Sequence, residues 1–203
     1  MGMLVEHGAR TVWRGCACAL LLAGAALSAR AGDITGAKLD ERVSVGGAEL
    51  VLNGAGVRRT FFRKVYLVAL YLVERKSSPA TVYALPGPKR IRIVLLRDVA
   101  ADRLVDALTE AIHDNCSQEG ERGALSDRVQ TLTTLLLGLR RGTRGDVITF
   151  DWLPDAGTVV GVNGQPQGPP IPGEDFYRAL LRCWLGERPA SNGLRGALLG
   201  RPQ

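Results

Sequence analysis

The stretch Leu52–Leu72, LNGAGVRRTFFRKVYLVALYL, decides how this chain is read. Asn53, Gly54, Ala55 and Gly56 carry almost no side-chain bulk, so backbone there can approach other backbone or a ligand closely, and a small-residue turn is expected. From Phe61 to Leu72 the residues Phe61, Phe62, Val65, Tyr66, Leu67, Val68, Leu70, Tyr71 and Leu72 are too β-branched and aromatic for a surface helix. They predict a strand buried on both faces. Between turn and strand stands Arg58, a guanidinium at the mouth of an apolar segment. It needs an anionic partner, either an acid of the chain such as Glu49 or Asp151, or a ligand.

Before this stretch, Val43–Val45, Gly46-Gly47 and Ala48–Leu52 read as a short hairpin with a glycine turn. After it, Ser78 and Pro79 mark the N-cap and first position of a short helix that Pro86-Gly87-Pro88 closes. Lys89–Val99 alternates and then becomes wholly apolar, as a strand does that begins at an edge and ends inside. Leu104, Val105, Leu108, Ala111 and Ile112 recur at helical spacing from Ala101 to Cys116. Ser126–Leu139 repeats that pattern with Ser126 as the expected cap, and Ser117–Gly123 reads as the linker between the two helices. Asp146–Trp152 and Thr158–Val162 are joined by Pro154-Asp155-Ala156-Gly157, a hairpin signal. Asp175–Gly186 is a third amphipathic helix, and Leu194–Leu199 adds a last turn or two. Hairpin turns rather than helical crossovers join the strands, so the order favours an α+β fold: an antiparallel sheet covered on one face by helices, with any ligand site between the layers.

The first 31 residues fall outside that plan. Arg10 and Arg14 precede an apolar run from Gly15 to Leu27, and Ala29-Arg30-Ala31 provides the small residues that a signal peptidase accepts. The run is about 13 residues long, short of the ~18–20 that a membrane-spanning helix needs. Residues 1–31 are therefore expected to be a cleaved signal peptide, residues 32–203 one domain, and the location periplasmic or secreted. Nothing after the signal is expected to span a membrane. Losing Arg10, Arg14, Arg30 and Glu6 lowers the formal charge from +6 to +4, and the remaining cations are mixed with acids, which speaks against nucleic acid. Of the four cysteines, Cys116 and Cys183 remain, either as a disulfide or as two buried thiols.

Gly54-Ala55-Gly56-Val57-Arg58, the following Lys64–Leu72 strand, Asn115-Cys116 at the end of the long helix and the closing Cys183-Trp184-Leu185-Gly186 resemble the chalcone isomerase superfamily, in its bacterial exported branch. The resemblance covers nearly all of residues 32–203. It implies an open-faced β-sandwich, a large antiparallel sheet with a helical layer forming the ligand cleft. The plant enzymes of the family close a flavanone ring by adding a phenolate to an enone, with an arginine stabilising the enolate oxygen, and Arg58 matches that arginine. Their other site groups, a threonine, a tyrosine, an asparagine and a second threonine, fall on Tyr66, Leu108, Asn115 and Cys183. Only the arginine and the asparagine are retained. Leucine at 108 can neither donate nor accept a hydrogen bond, which weakens the enzymatic expectation.

Non-enzymatic members of the family bind fatty acids and hold the carboxylate with an arginine and a tyrosine, a pair that Arg58 and Tyr66 fit. The resemblance therefore implies a non-catalytic binder of a small hydrophobic carboxylate, with Arg58, Tyr66, Asn115 and Cys183 as ligand-contacting residues. Its rivals are an intramolecular lyase acting on a phenolic enone, with Arg58 catalytic, and an interaction module of the cell envelope. No cofactor is expected. His113 stands alone on a helix, so no metal site is expected either, and GAGVR lacks the pattern of a phosphate loop. Asn115 has a competing role as a helix-end cap, and Arg140, Arg141 and Arg144 are expected in a solvated loop.

Overall fold

A computed structural model describes residues 32–34, 37–116 and 119–201. The expected signal peptide and its cleavage site lie outside the described residues. The strands are β1 (Gly32–Ile34), β2 (Ala37–Leu39), β3 (Arg42–Val45), β4 (Ala48–Thr60), β5 (Arg63–Leu72), β6 (Lys89–Leu95), β7 (Val99–Ala100), β8 (Arg141–Gly142), β9 (Val147–Leu153), β10 (Gly157–Val162) and β11 (Gln165–Pro166). The helices are α1 (Pro79–Ala84), α2 (Ala101–Asn115), α3 (Glu119–Leu137), α4 (Glu174–Leu185) and α5 (Asn192–Leu198). Seven strands form one antiparallel sheet in the order β11-β10-β9-β6-β5-β4-β3. The fold is α+β, as the order of elements predicts.

The sheet's two faces follow from strand alternation. On β5, Val68, Leu70 and Leu72 point toward the helices and join Ile91, Ile93, Phe150 and the inner faces of α2, α3 and α4 in the main core. Leu67, Ala69 and Tyr71 point the other way, into a smaller cluster with Leu39, Val45, Leu50 and Val57. Both faces of β5 are buried, which is why its sequence is apolar without interruption. Tyr71 closes the smaller cluster by donating its hydroxyl to the Asp40 carbonyl at 3.1 Å.

The Asn53–Gly56 segment is not a turn. It lies inside β4, a continuous strand whose pairing with β5 slips between Leu52 and Gly54 and again between Arg58 and Arg59. Asn53 is the extra residue of the first bulge. Its amide nitrogen donates to the carbonyls of Lys76 at 2.9 Å and Leu198 at 2.7 Å, and its oxygen accepts from the Lys76 N–H at 2.6 Å. The bulge inverts the alternation, so that Leu50 and Leu52 before it and Ala55 and Val57 after it share the same outer cluster. Gly54 is needed for a different reason than a turn: a Cβ there would lie 2.1 Å from the Ala197 carbonyl oxygen, because α5 rests directly on the strand.

Three further expectations change. Phe61 and Phe62 are not buried strand residues but the two-residue tip of the β4–β5 hairpin, 93% and 101% exposed. Strand β6 ends at Leu95 rather than near Val99. Helix α3 starts at Glu119, so Ser126 is an interior residue and not a cap; Glu119 and Glu121 occupy its first turn, where the helix dipole favours negative charge. Ser78 caps α1 as expected, accepting from the Thr81 N–H at 3.3 Å.

Asn53→Ala removes all three side-chain hydrogen bonds at the bulge and leaves buried backbone groups unmatched. It should lower unfolding free energy by about 2–4 kcal/mol in urea titration. A loss under about 0.5 kcal/mol, the range of ordinary surface changes, would mean that strand pairing alone holds the bulge.

Candidate functional site

Arg58 and Tyr66 face each other across β4 and β5 in direct register. Cross-strand partners project from the same face of a sheet, and here that face is the one the helices cover. The two side chains meet Ile93 of β6, Ile148 and Phe150 of β9, a face of α2, and Cys183 and Trp184 of α4 around a cavity of about 350 Å³. The contribution of α2 is Leu104, Ala107, Leu108 and Ala111, spaced three and four residues apart so that they line one face. Thr60, Glu110, Asp114 and Arg188 add polar groups to this lining. The interior is apolar and the polar groups are few, the composition of a small-molecule pocket.

Neither acid proposed as a partner for Arg58 is available to it. Glu49 pairs with Arg42, and Asp151 accepts two bonds from Arg90, at 2.6 and 2.5 Å, across β6 and β9. Asp151 is thus a half-buried ion-pair member. Arg58 donates to the carbonyl of Arg59 at 2.9 Å and forms no ion pair among the described residues. Its guanidinium retains donors for an anion.

Tyr66 is oriented by Trp184, whose indole Nε1–H donates to the phenol oxygen at 3.1 Å. An indole can only donate, so the phenol accepts that bond and keeps its own proton for something else. Burial pushes the Tyr66 hydroxyl above its ordinary value of 10.0; the Trp184 bond and the Arg58 charge pull it back only in part. The phenol is neutral at physiological pH and aims a donor into the cavity beside a cation. Two donors side by side are suited to a carboxylate or another oxyanion.

The other expected site residues divide. Cys183 lines the cavity, but it is 2% exposed and burial drives its thiol far above the ordinary range, so it contributes shape and not a nucleophile. Cys116 is buried as well, and both thiols are free. Asn115 does not line the cavity. Its amide nitrogen donates to the carbonyls of Ala111 and Arg188, both at 2.9 Å, and its oxygen accepts from the Arg188 N–H at 3.0 Å. A Cβ on Gly186 would sit 2.2 Å from that oxygen. Asn115 therefore ties the end of α2 to the chain leaving α4, and its expected ligand contact gives way to this structural one. Trp184 was missed as a site residue, although a largely buried indole needs an acceptor and the tyrosine of β5 is a natural one.

His113 is absent from the cavity lining, and among the described residues no group of histidines, cysteines and acids is arranged to hold a metal ion. No described helix is long and apolar enough to cross a membrane.

The sequence profile described as chalcone isomerase-like matches residues 31–200. The chain belongs to the chalcone isomerase-like family. Among solved structures, a fatty-acid binding protein of Arabidopsis thaliana superposes with a TM-score of 0.64 at 17% identity, covering 81% of this chain and 92% of that one. At that identity the likeness establishes the fold. No curated protein sequence matches the chain. Within this chalcone isomerase-like fold, the cavity between sheet and helices is the cleft that the family's architecture implies, and Leu108 lines it.

Tyr66→Phe leaves the Trp184 indole N–H without its acceptor and should cost about 1–2 kcal/mol of stability, accompanied by a shift in tryptophan emission. The native phenol holds its proton more tightly than the unfolded one, so this tyrosine's contribution is constant below pH 10.0 and is lost as pH rises beyond it. A wild-type and variant pair with equal unfolding midpoints would contradict the Tyr66–Trp184 bond.

Proposed function

We propose that the protein is an exported, periplasmic binder of a small hydrophobic carboxylate, a fatty acid or a close relative, which it holds without chemical change. The observation that carries this reading is Arg58, which forms no ion pair among the described residues, beside a neutral Tyr66 donor at a largely apolar cavity. A guanidinium clamps a carboxylate in one plane, and the phenol adds a directional bond. The cavity, about 350 Å³, falls within the roughly 300–1,000 Å³ of small-molecule sites. The fatty-acid binding protein that shares the fold supports the ligand class. Export is supported by the Arg10, Arg14, apolar run and Ala29-Arg30-Ala31 order of the N-terminal segment.

The non-catalytic half of the reading rests on the lining. Leu108 offers no hydroxyl, Cys183 is held protonated, and no histidine is present to move a proton near neutral pH. One observation favours a second reading: Arg58 opens onto the cavity, where it could also stabilise an enolate oxygen in an intramolecular lyase. Loss of chalcone absorbance at rates above buffer would support that alternative.

Native mass spectrometry of the purified protein should show a carboxylate ligand whose occupancy falls at least tenfold in Arg58→Ala, the size expected for losing a charge-assisted bond of about 1.5–3 kcal/mol. Affinity for added fatty acid should be flat from pH 6 to 9, because burial holds the proton on the Tyr66 hydroxyl there. Equal occupancy in wild type and Arg58→Ala would reject the assigned role.

A further inference from the structure

The tip of the β4–β5 hairpin has no role in the site or in the core. Phe61 and Phe62 form its two-residue turn and are almost wholly exposed, at 93% and 101%. Soluble proteins rarely spend two adjacent large aromatics on an exposed turn, and contiguous exposed apolar groups mark an interaction surface. Phe61 also adopts φ +53°, a conformation in which turns favour glycine, asparagine or aspartate and a bulky side chain is unfavourable. Local turn chemistry therefore does not explain the aromatic at that position.

The charges around the tip specify what it meets. Arg59 pairs with Lys64 and Thr60 with Arg63 across the hairpin, so three exposed cations ring the two phenylalanines. None of the three forms an ion pair among the described residues, and no acid occurs between Glu49 and Glu74. Aromatic groups at the apex with unpaired cations just behind them match an anionic bilayer, where rings enter the headgroup region and cations meet lipid phosphates. The same hairpin carries Arg58, Thr60 and Val65 of the cavity lining.

We propose that the Phe61-Phe62 tip, with Arg59, Arg63 and Lys64, docks the protein onto the surface of an anionic lipid bilayer. Docking through this hairpin brings the Arg58 end of the cavity toward the lipid. The proposal goes beyond the binding reading and does not depend on it, since the five residues that make the contact are not those that hold a ligand.

The test is cosedimentation of the protein, purified as the producing cell leaves it, with vesicles of phosphatidylcholine alone or of equal parts phosphatidylcholine and phosphatidylglycerol. The wild type should bind the anionic vesicles, and added salt should weaken the binding. Arg59→Gln/Arg63→Gln/Lys64→Gln should lose about a hundredfold in affinity, and Phe61→Asn/Phe62→Ser roughly tenfold or more. All five positions are exposed, and circular dichroism of each variant checks the fold. Equal binding to both vesicle types, or variants that bind like the wild type, overturns the proposal. So does a dimer in solution that Phe61→Asn/Phe62→Ser converts to monomer, because the tip would then be a self-association surface. Vesicles free of fatty acid and an intact Arg58 keep this outcome separate from that of the ligand test.

Discussion

The site depends on one inserted residue in one strand. Asn53 shifts the pairing of β4 with β5 by one position, and every side chain after it changes face. Without that shift Arg58 would share the outer face with Leu52; with it, Arg58 stands opposite Tyr66 under the helices. The bulge is held from two directions at once, by the Lys76 backbone after β5 and by the Leu198 carbonyl at the end of α5. A second slip beyond Arg58 restores the pairing before the tip, so the irregularity is confined to the segment that builds the cavity.

Above that strand the helices are set at distances that only small or fully paired residues allow. Gly54 lets α5 rest on β4 with backbone against strand, and Asn115 binds α2 to the segment after α4 through two hydrogen bonds to the Arg188 backbone. These two ties hold α2, α4 and α5 over the sheet while leaving a gap between α2 and the Arg58–Tyr66 pair. Burial then does chemical work: it keeps the Tyr66 phenol and the Cys183 thiol protonated, the first as a donor and the second as inert packing. The ion pair of Arg90 with Asp151 and that of Arg42 with Glu49 occupy the two acids that the sequence offered as partners for Arg58.

The parts legible in sequence were those governed by local periodicity. The β3–β4 turn at Gly46-Gly47, the Ser78-Pro79 helix start, the apolar face of α2 and the β9–β10 hairpin all follow from side-chain spacing and turn residues within a few positions. Leu108 and Cys183 reach the cavity because they lie on the inner faces of strongly amphipathic helices. The failures share one cause, which is that short-range pattern does not report long-range contact. Asn53-Gly54-Ala55-Gly56 has turn composition, yet its small residues answer to a helix some 145 positions away in the chain. Ser126 has a cap's side chain, but α3 starts about two turns earlier, with the acids Glu119 and Glu121 in its first turn. Phe61 and Phe62 continue an apolar run without a break, and no local signal marks where the chain reverses.

The amino-acid sequence alone determined the family, the α+β layering, the doubly buried character of β5 and the identity of Arg58 as the charge to be explained, because each is written in residue type or in spacing along one element. Tertiary structure decided that Arg58 faces Tyr66 instead of Glu49 or Asp151, that Asn115 is consumed by backbone bonds, and that two phenylalanines stand in solvent. Those outcomes rest on strand register and on contacts between segments distant in sequence. A single inserted residue decides the first of them, the facing of Arg58, while leaving the local pattern unchanged.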